Sequence, residues 1–198
     1  MNITAKMVKE LRDKTNAGMM ECKKALQEAN GIVNEAIKIL RKKGMKKAQS
    51  KAGRTTKQGI IYSYIHPGAK VGVLLELNCE TDFVAKNQGF AELAKNVAMQ
   101  IAAQKPIAIS KDYVDPKILE EEKEIYIAQA KDSGKPEQII EKIVQGKINK
   151  FLSENCLLSQ PFIKDETKTI DQLIKEYIVK YGENISVARF ARYELGEE

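Results

Sequence analysis

Apolar positions in the first part of the chain recur at helical spacing in three short runs. Met7, Val8 and Leu11 share one face behind Thr4, whose hydroxyl suits a helix N-cap. Thr15-Asn16-Ala17-Gly18 breaks this run, because Asn and Gly tolerate turn conformations that a helix excludes. A second run turns Met19, Cys22, Ala25, Leu26 and Ala29 inward, and Asn30-Gly31 ends it by supplying a left-handed exit. The third carries Val33, Ala36, Ile37 and Leu40. Each helix is too short to persist alone, so the spacing predicts a packed three-helix bundle over residues 1–43.

The period changes at Gly59. Residues 60–65 are branched and aromatic, His66-Pro67-Gly68-Ala69-Lys70 reads as a turn, and Val71, Val73, Leu75 and Leu77 then alternate with Gly72, Glu76 and Asn78. This is the pattern of a β-hairpin with one buried face. A helix is expected over residues 87–104, with Phe90, Leu93, Ala94, Val97, Ala98 and Ile101 covering the sheet. Residues 116–155 read as two helices joined at Gly134-Lys135-Pro136, an antiparallel hairpin with a partly polar seam. The first arm offers Ile118, Leu119, Ile125 and Ala128; the second offers Ile140, Ile143, Val144, Ile148, Phe151 and Leu152. Pro161 closes the hairpin, residues 170–181 form a helix ending at Gly182, and residues 186–195 form a last strand. The class is α+β: a bundle, a linker over 44–58, and a core over 59–198 with an antiparallel sheet and the helical hairpin 116–155 inserted.

Charge alters the picture at one place. The chain has 198 residues with 33 basic and 27 acidic side chains, a net charge of +6. Eight of the basic residues, Arg41, Lys42, Lys43, Lys46, Lys47, Lys51, Arg54 and Lys57, fall in one stretch that holds no acid. The excess therefore describes a linker and not a general surface. The segment can extend the third helix by a turn, but with no apolar stripe to dock, with self-repulsion and with three glycines, part of residues 44–59 is expected to be a mobile tether. The opening residues lack the basic-then-apolar order of a targeting peptide, and the longest apolar run, Val71 to Leu75, is too short to cross a bilayer. Cys22, Cys79 and Cys156 are scattered and odd in number, as thiols in a reducing cytosol are. A soluble cytoplasmic protein is expected, with no membrane partner.

Candidate chemistry is sparse. Gly134-Lys135-Pro136 lacks the upstream glycine, the hydroxyl residue and the preceding strand of a phosphate loop. His66 is the single histidine and lies in a turn, and the cysteines are far apart, so no metal set is proposed. Glu80 and Asp82 near a strand end are conceivable acids, but no second constellation accompanies them. The sequence does not read as an enzyme.

Three stretches are candidate interaction sites. The basic segment can contact phosphates; it has no interleaved aromatic, and a solvated tether is the preferred reading. The stretch Glu76-Leu77-Asn78-Cys79-Glu80-Thr81-Asp82-Phe83-Val84-Ala85-Lys86-Asn87 has two readings. Either Thr81 or Asp82 caps a helix and Phe83 staples it to the core, or Phe83 is an apolar wedge held outward on a rigid turn with carboxylates beside it. Residue type alone favours the staple, because most aromatic side chains are buried. Met19 and Met20 are core filler or an adaptable docking surface.

Two stretches together shift that balance. Leu11-Arg12-Asp13-Lys14-Thr15-Asn16-Ala17-Gly18-Met19-Met20-Glu21-Cys22-Lys23-Lys24-Ala25-Leu26 resembles the N-terminal signature of the bacterial-type translation elongation factor Ts family. Residues 76–86 resemble its second signature, with Thr81-Asp82-Phe83-Val84 intact. Further similarity lies in Gly134-Lys135-Pro136-Glu137, Gln160-Pro161-Phe162 and Glu194-Leu195-Gly196, so the likeness extends over essentially the whole chain.

The resemblance implies a guanine-nucleotide exchange factor for elongation factor Tu, acting on its GDP-bound and nucleotide-free forms, with no cofactor, no metal and no specific nucleic acid. It implies a ubiquitin-associated-like (UBA-like) bundle that docks on the GTPase, with Thr15, Gly18, Met19 and Met20 at the docking edge. It also implies that Thr81, Asp82, Phe83 and Val84 press on the magnesium side of the GTPase, Phe83 as wedge and Asp82 as its polar companion. Longer members of the family carry two related core modules; here one hairpin-plus-helix unit precedes the helical hairpin. This chain resembles the short form, which implies a homodimer through residues 59–195 and a 2:2 complex, with residues 116–155 as an accessory contact. The alternative is a nucleic-acid or ribosome-associated protein that uses the basic linker.

Overall fold

The computed structural model describes residues 3–15, 17–131 and 136–197. Asn16 of the expected break and Gly134-Lys135 of the expected inter-helix turn lie outside them. In chain order the elements are α1 (Ala5–Thr15), α2 (Met19–Glu28), α3 (Val33–Gln49), β1 (Gln58–Ile65), β2 (Val71–Cys79) and α4 (Asp82–Ala85). They continue with α5 (Gln88–Gln104), α6 (Pro116–Lys131), α7 (Glu137–Asn155), β3 (Pro161–Phe162), β4 (Asp165–Thr169), α8 (Ile170–Tyr181) and β5 (Ile185–Glu194). Two compact units emerge, one from Met1–Ile60, Leu77–Leu93 and Gln172–Ala188, the other from Ile61–Glu76, Ala94–Asp171 and Arg189–Glu198. No helix among the described residues is long and apolar enough to cross a membrane.

In the first unit, α1 to α3 pack around Val8, Leu11, Cys22, Ala25, Leu26, Ala29 and Ala36. The Thr4 hydroxyl accepts the Met7 N–H at 3.3 Å, the cap expected from sequence. Asn30 and Gly31 take φ of 50° and 82°, and the Gly31 N–H bonds the Leu26 carbonyl at 2.8 Å, closing α2. Met19, expected inward, is 45% exposed, because it is the first residue of α2 and the seam begins one turn later at Cys22.

The segment after residue 43 extends the third helix, as the sequence allows. It continues α3 as far as Gln49, and it also docks, with Ala48 buried and Gly44 against the Val179 side chain, where no docking stripe was expected. Two small residues four apart make a docking strip that a search for large apolar side chains passes over. The Lys51 ammonium donates to the Gly182 carbonyl, and the Asn184 amide donates to the carbonyls of Ala52 at 3.3 Å and Arg54 at 2.8 Å. The Thr56 and Ser186 hydroxyls lie 3.0 Å apart. Residues 44–56 are thus fastened to the end of α8 and the start of β5.

The sheet has the order β1-β2-β5. Five residues join β1 to β2, a connection that fits an antiparallel hairpin and is too short for a parallel crossover. His66 serves this turn: its backbone N–H bonds the Val71 carbonyl at 2.9 Å, and its Nδ1 sits 3.0 Å from the Tyr64 hydroxyl. Alternation in β2 buries Val73, Leu75, Leu77 and Cys79 and leaves Leu74 exposed on the other face.

In the second unit, α6 packs on α7 as expected, and the seam is polar in part. Lys147 donates to Gln129 at 2.5 Å and sits over the Tyr126 ring. Ile118 and Ile125, expected in the seam, are exposed; Leu119 and Ala130 turn toward the covered side. Two features had no sequence signal. One is the antiparallel pair β3–β4, which is largely polar; the other is an isolated parallel bridge between Ala108 and Cys156. The buried Gln100 and Gln160 explain the first: Gln100 bonds Gln160, the Pro161 carbonyl and the Ile163 N–H, which fixes the entry to the pair from inside.

Candidate partner-binding site

Within and just after the Thr-Asp-Phe-Val stretch, Asp82–Ala85 form a single turn of helix, α4, with Thr81 at its N-cap, entered directly from the buried end of β2. Four residues cannot hold a helix by their own hydrogen bonds, so the orientation of this turn is imposed from outside. Val84 is its anchor at 8% exposure, while Phe83 beside it stands 84% exposed. Phe83 therefore does not staple the turn to the core, and its ring faces outward. Val84 fills the inward position of the turn, and a one-turn helix cannot direct two successive side chains to the same side.

Polar groups fix the rest of the turn. The Glu183 carboxylate accepts the N–H groups of Glu80 at 3.2 Å and Thr81 at 3.0 Å, and the Thr81 hydroxyl at 2.6 Å. In return, Glu80 accepts the Asn184 N–H at 2.6 Å and faces the Arg54 guanidinium at 3.5 Å. Cys79 donates its thiol to the Thr81 carbonyl at 3.1 Å. Burial, and then the Glu183 charge, push that thiol up to about 11. Asp82 pairs with Lys86 at 2.7 Å one helical turn on, and that hydrogen bond lowers its carboxyl below the ordinary value. Glu80 and Asp82 therefore point to different partners.

The bundle candidates lie in the same compact unit. Thr15 closes α1, its hydroxyl donating to the Leu11 carbonyl at 2.7 Å and accepting the Ala17 N–H at 3.4 Å. Gly18 precedes α2, and its N–H bonds Glu21 at 3.4 Å. Met19 and Met20 are exposed, as is Ile32 between α2 and α3. Thr15 thus shapes the break, and the methionines supply the apolar surface.

The basic segment presents fewer free cations than its composition suggests. Lys43 pairs with Glu28 at 2.5 Å, Lys47 with Glu21 at 3.5 Å, and Lys51 and Arg54 are held as described above. Among the described residues no group of three or more His, Cys, Asp or Glu is arranged to hold a metal ion.

Sequence reasoning missed Glu183, Asn184 and Arg54 at the turn. The only local hint is a Glu-Asn pair between a helix-ending glycine and the first residue of a strand.

An exposed aromatic on a braced turn and an apolar bundle edge match the two stretches singled out in the sequence. The family model of elongation factor Ts matches residues 1–197. The chain belongs to the elongation factor Ts family. It is 57% identical to elongation factor Ts of Thermosipho melanesiensis over 98% of this chain and 100% of that one. It is 56% identical to that of Fervidobacterium nodosum over the full length of both, and 58% identical to that of Thermodesulfovibrio yellowstonii over 100% of this chain and 98% of that one. Membership in the elongation factor Ts family assigns the chain to protein biosynthesis, at the elongation step of translation.

Proposed function

We propose that this chain is the guanine-nucleotide exchange factor for elongation factor Tu and makes or breaks no covalent bond itself. The observation that carries the reading is Phe83, an aromatic left 84% exposed beside a buried Val84. An exposed aromatic on an anchored turn suits insertion into a partner, since such a side chain loses little conformational freedom on binding. Thr81, Asp82, Phe83 and Val84 act on the magnesium side of the GTPase, with Phe83 as the wedge. Thr15, Gly18, Met19 and Met20 form the docking edge of a UBA-like bundle.

The energetics suit a protein with no reactive groups. GDP is held by phosphate contacts and Mg²⁺, so displacing the elements around the ion weakens the nucleotide. The coupling is reciprocal: a factor that lowers GDP affinity is itself bound less tightly by the GDP form, to the same degree. Release is accelerated without setting the final balance of GDP and GTP. An acceleration of two to three orders requires about 3–4 kcal/mol of differential binding.

The chain acts in the cytoplasm as a homodimer, giving a 2:2 complex with elongation factor Tu. The exposed Ile65, Leu74 and Tyr193 on the sheet support this reading. The test of exchange is stopped-flow release of fluorescent GDP from purified elongation factor Tu. Wild type accelerates release by orders of magnitude and Phe83→Ala is strongly impaired. Equal acceleration by both proteins removes the wedge and leaves exchange to the bundle; no acceleration by either ends the exchange reading.

A further inference from the structure

We infer that Glu183 is a positioning residue for nucleotide exchange, acting through the turn that carries Phe83; this rests on the exchange function proposed above. Thr81 has the extended backbone of an N-cap residue, φ −125° and ψ 157°, yet its hydroxyl caps nothing in α4. The hydroxyl is directed instead to Glu183 Oε1 at 2.6 Å. Glu183 Oε2 takes the N–H groups of Glu80 and Thr81, the last two backbone donors before α4. One carboxylate thereby receives three hydrogen bonds from two consecutive residues.

Such a grip defines a direction and not merely a contact. Three donors converging on two oxygens fix the peptide planes ahead of α4, and Val84 fixes its far side by burial. Phe83 lies between the two fixed points and makes no packing contact strong enough to bury it, so its direction follows from them. Glu183 is itself oriented by the answering bond from the Asn184 N–H to Glu80. Asn184 in turn holds the carbonyls of Ala52 and Arg54. The pair Glu183-Asn184 thus joins the wedge turn to the chain that leaves the bundle.

A simple structural staple and a positioning residue differ in how they combine with loss of the wedge. The experiment measures GDP release from elongation factor Tu at increasing concentrations of wild type, Glu183→Gln, Phe83→Ala and the double variant. Positioning predicts that Glu183→Gln lowers the maximal rate about tenfold and shifts the half-saturating concentration less than about threefold. In the Phe83→Ala background the same change has no further effect, because the positioned group is gone. An equal fractional loss in both backgrounds, or a loss confined to half-saturation, overturns the inference.

A second variant covers the case in which Glu183→Gln folds poorly. Thr81→Val removes only the hydroxyl bond to Glu183 and slows maximal release in the wild-type background but not in the Phe83→Ala background; an equal fractional loss in both counts against the inference. Amide hydrogen exchange of Glu80 and Thr81 in Glu183→Gln gives a readout independent of the GTPase, and unchanged protection also overturns it. A wild-type chain that does not accelerate release refutes the exchange function itself, and is told apart from these outcomes by the wild-type trace alone.

Discussion

Phe83 and Val84 are adjacent in the chain and opposite in environment, one 84% exposed and the other 8%. Truncating them separates function from stability. Phe83→Ala leaves the unfolding free energy within about 0.5 kcal/mol of wild type, since an exposed side chain leaves no cavity. Val84→Ala costs about 2 kcal/mol, from lost transfer energy and an unfilled space under the turn. Urea denaturation of the two variants reads this directly. A large loss of stability in Phe83→Ala means that the ring is packed in solution, which removes the basis of the wedge.

The contrast also marks what the sequence carries. Helical periodicity located α1, α2, α5, α7 and α8 closely, and strict alternation located β2, because large apolar side chains at fixed intervals decide those elements. The outward direction of Phe83 was not readable from residue type, since it depends on Val84 holding the only inward position of a single turn. The fastening of residues 44–56 was hidden for a different reason: its packing uses Gly44 and Ala48, and its hydrogen bonds go to Gly182 and Asn184, far along the chain. The Glu183 bond to Thr81 spans a similar separation and leaves no periodic trace. The motif itself was legible, and its support was not.

Gly59 is required by the backbone of the hairpin. It adopts φ +155°, and a Cβ there lies 2.7 Å from Asn78 Cα and closer still to the Leu77 carbonyl oxygen. Neither atom belongs to a flexible side-chain end, so β1 must shift away from β2. Gly59→Ala is expected to cost more than about 2 kcal/mol. A denaturation midpoint equal to wild type contradicts the close approach of the two strands.

An acid-sensitive contribution to stability lies near the end of β5. Glu194 faces Lys105 at 2.6 Å and also bonds Arg192, which in turn pairs with Glu197 at 2.8 Å. The Lys105 hydrogen bond, then that of Arg192, bring the Glu194 carboxyl from 4.5 down to about 2. A carboxyl depressed on folding contributes stability above its unfolded value and loses it as pH falls through the folded one. The stabilisation is therefore complete above 4.5 and fades toward about 2. Glu194→Gln removes this acid-dependent component, so the difference in midpoint between variant and wild type is largest near neutrality and shrinks in acid. A difference that grows as pH falls contradicts the assignment.

The three cysteines are free and buried. Cys79 is held protonated by burial and the Glu183 charge, up to about 11, and burial also raises Cys156. Ellman's reagent is expected to titrate almost no thiol in the native protein at neutral pH and three after denaturation. The same burial predicts that no dimer is covalent, so a non-reducing gel shows a single-chain band. A disulfide-linked band requires one of these sites to open.

Dimerisation is tested on the exposed face of the sheet. Val73 and Leu75 bury their side chains, so Leu74 between them faces the opposite way, and Ile65, Tyr193 and Leu195 are exposed with it along one open groove. The Glu76–Arg189 ion pair at 2.7 Å adds a charged group to this part of the sheet. An apolar patch bordered by charge fits a self-complementary contact between two copies. In a two-fold interface each substitution occurs twice, so Leu74→Glu introduces two unpaired carboxylates into the same contact. Sedimentation is expected to show a wild-type dimer and a variant whose dissociation constant rises at least about a hundredfold, with unchanged circular dichroism. A monomeric wild type ends the 2:2 reading. GDP release by such a monomer would leave exchange intact in a 1:1 complex, because Phe83 and the bundle edge both belong to a single chain.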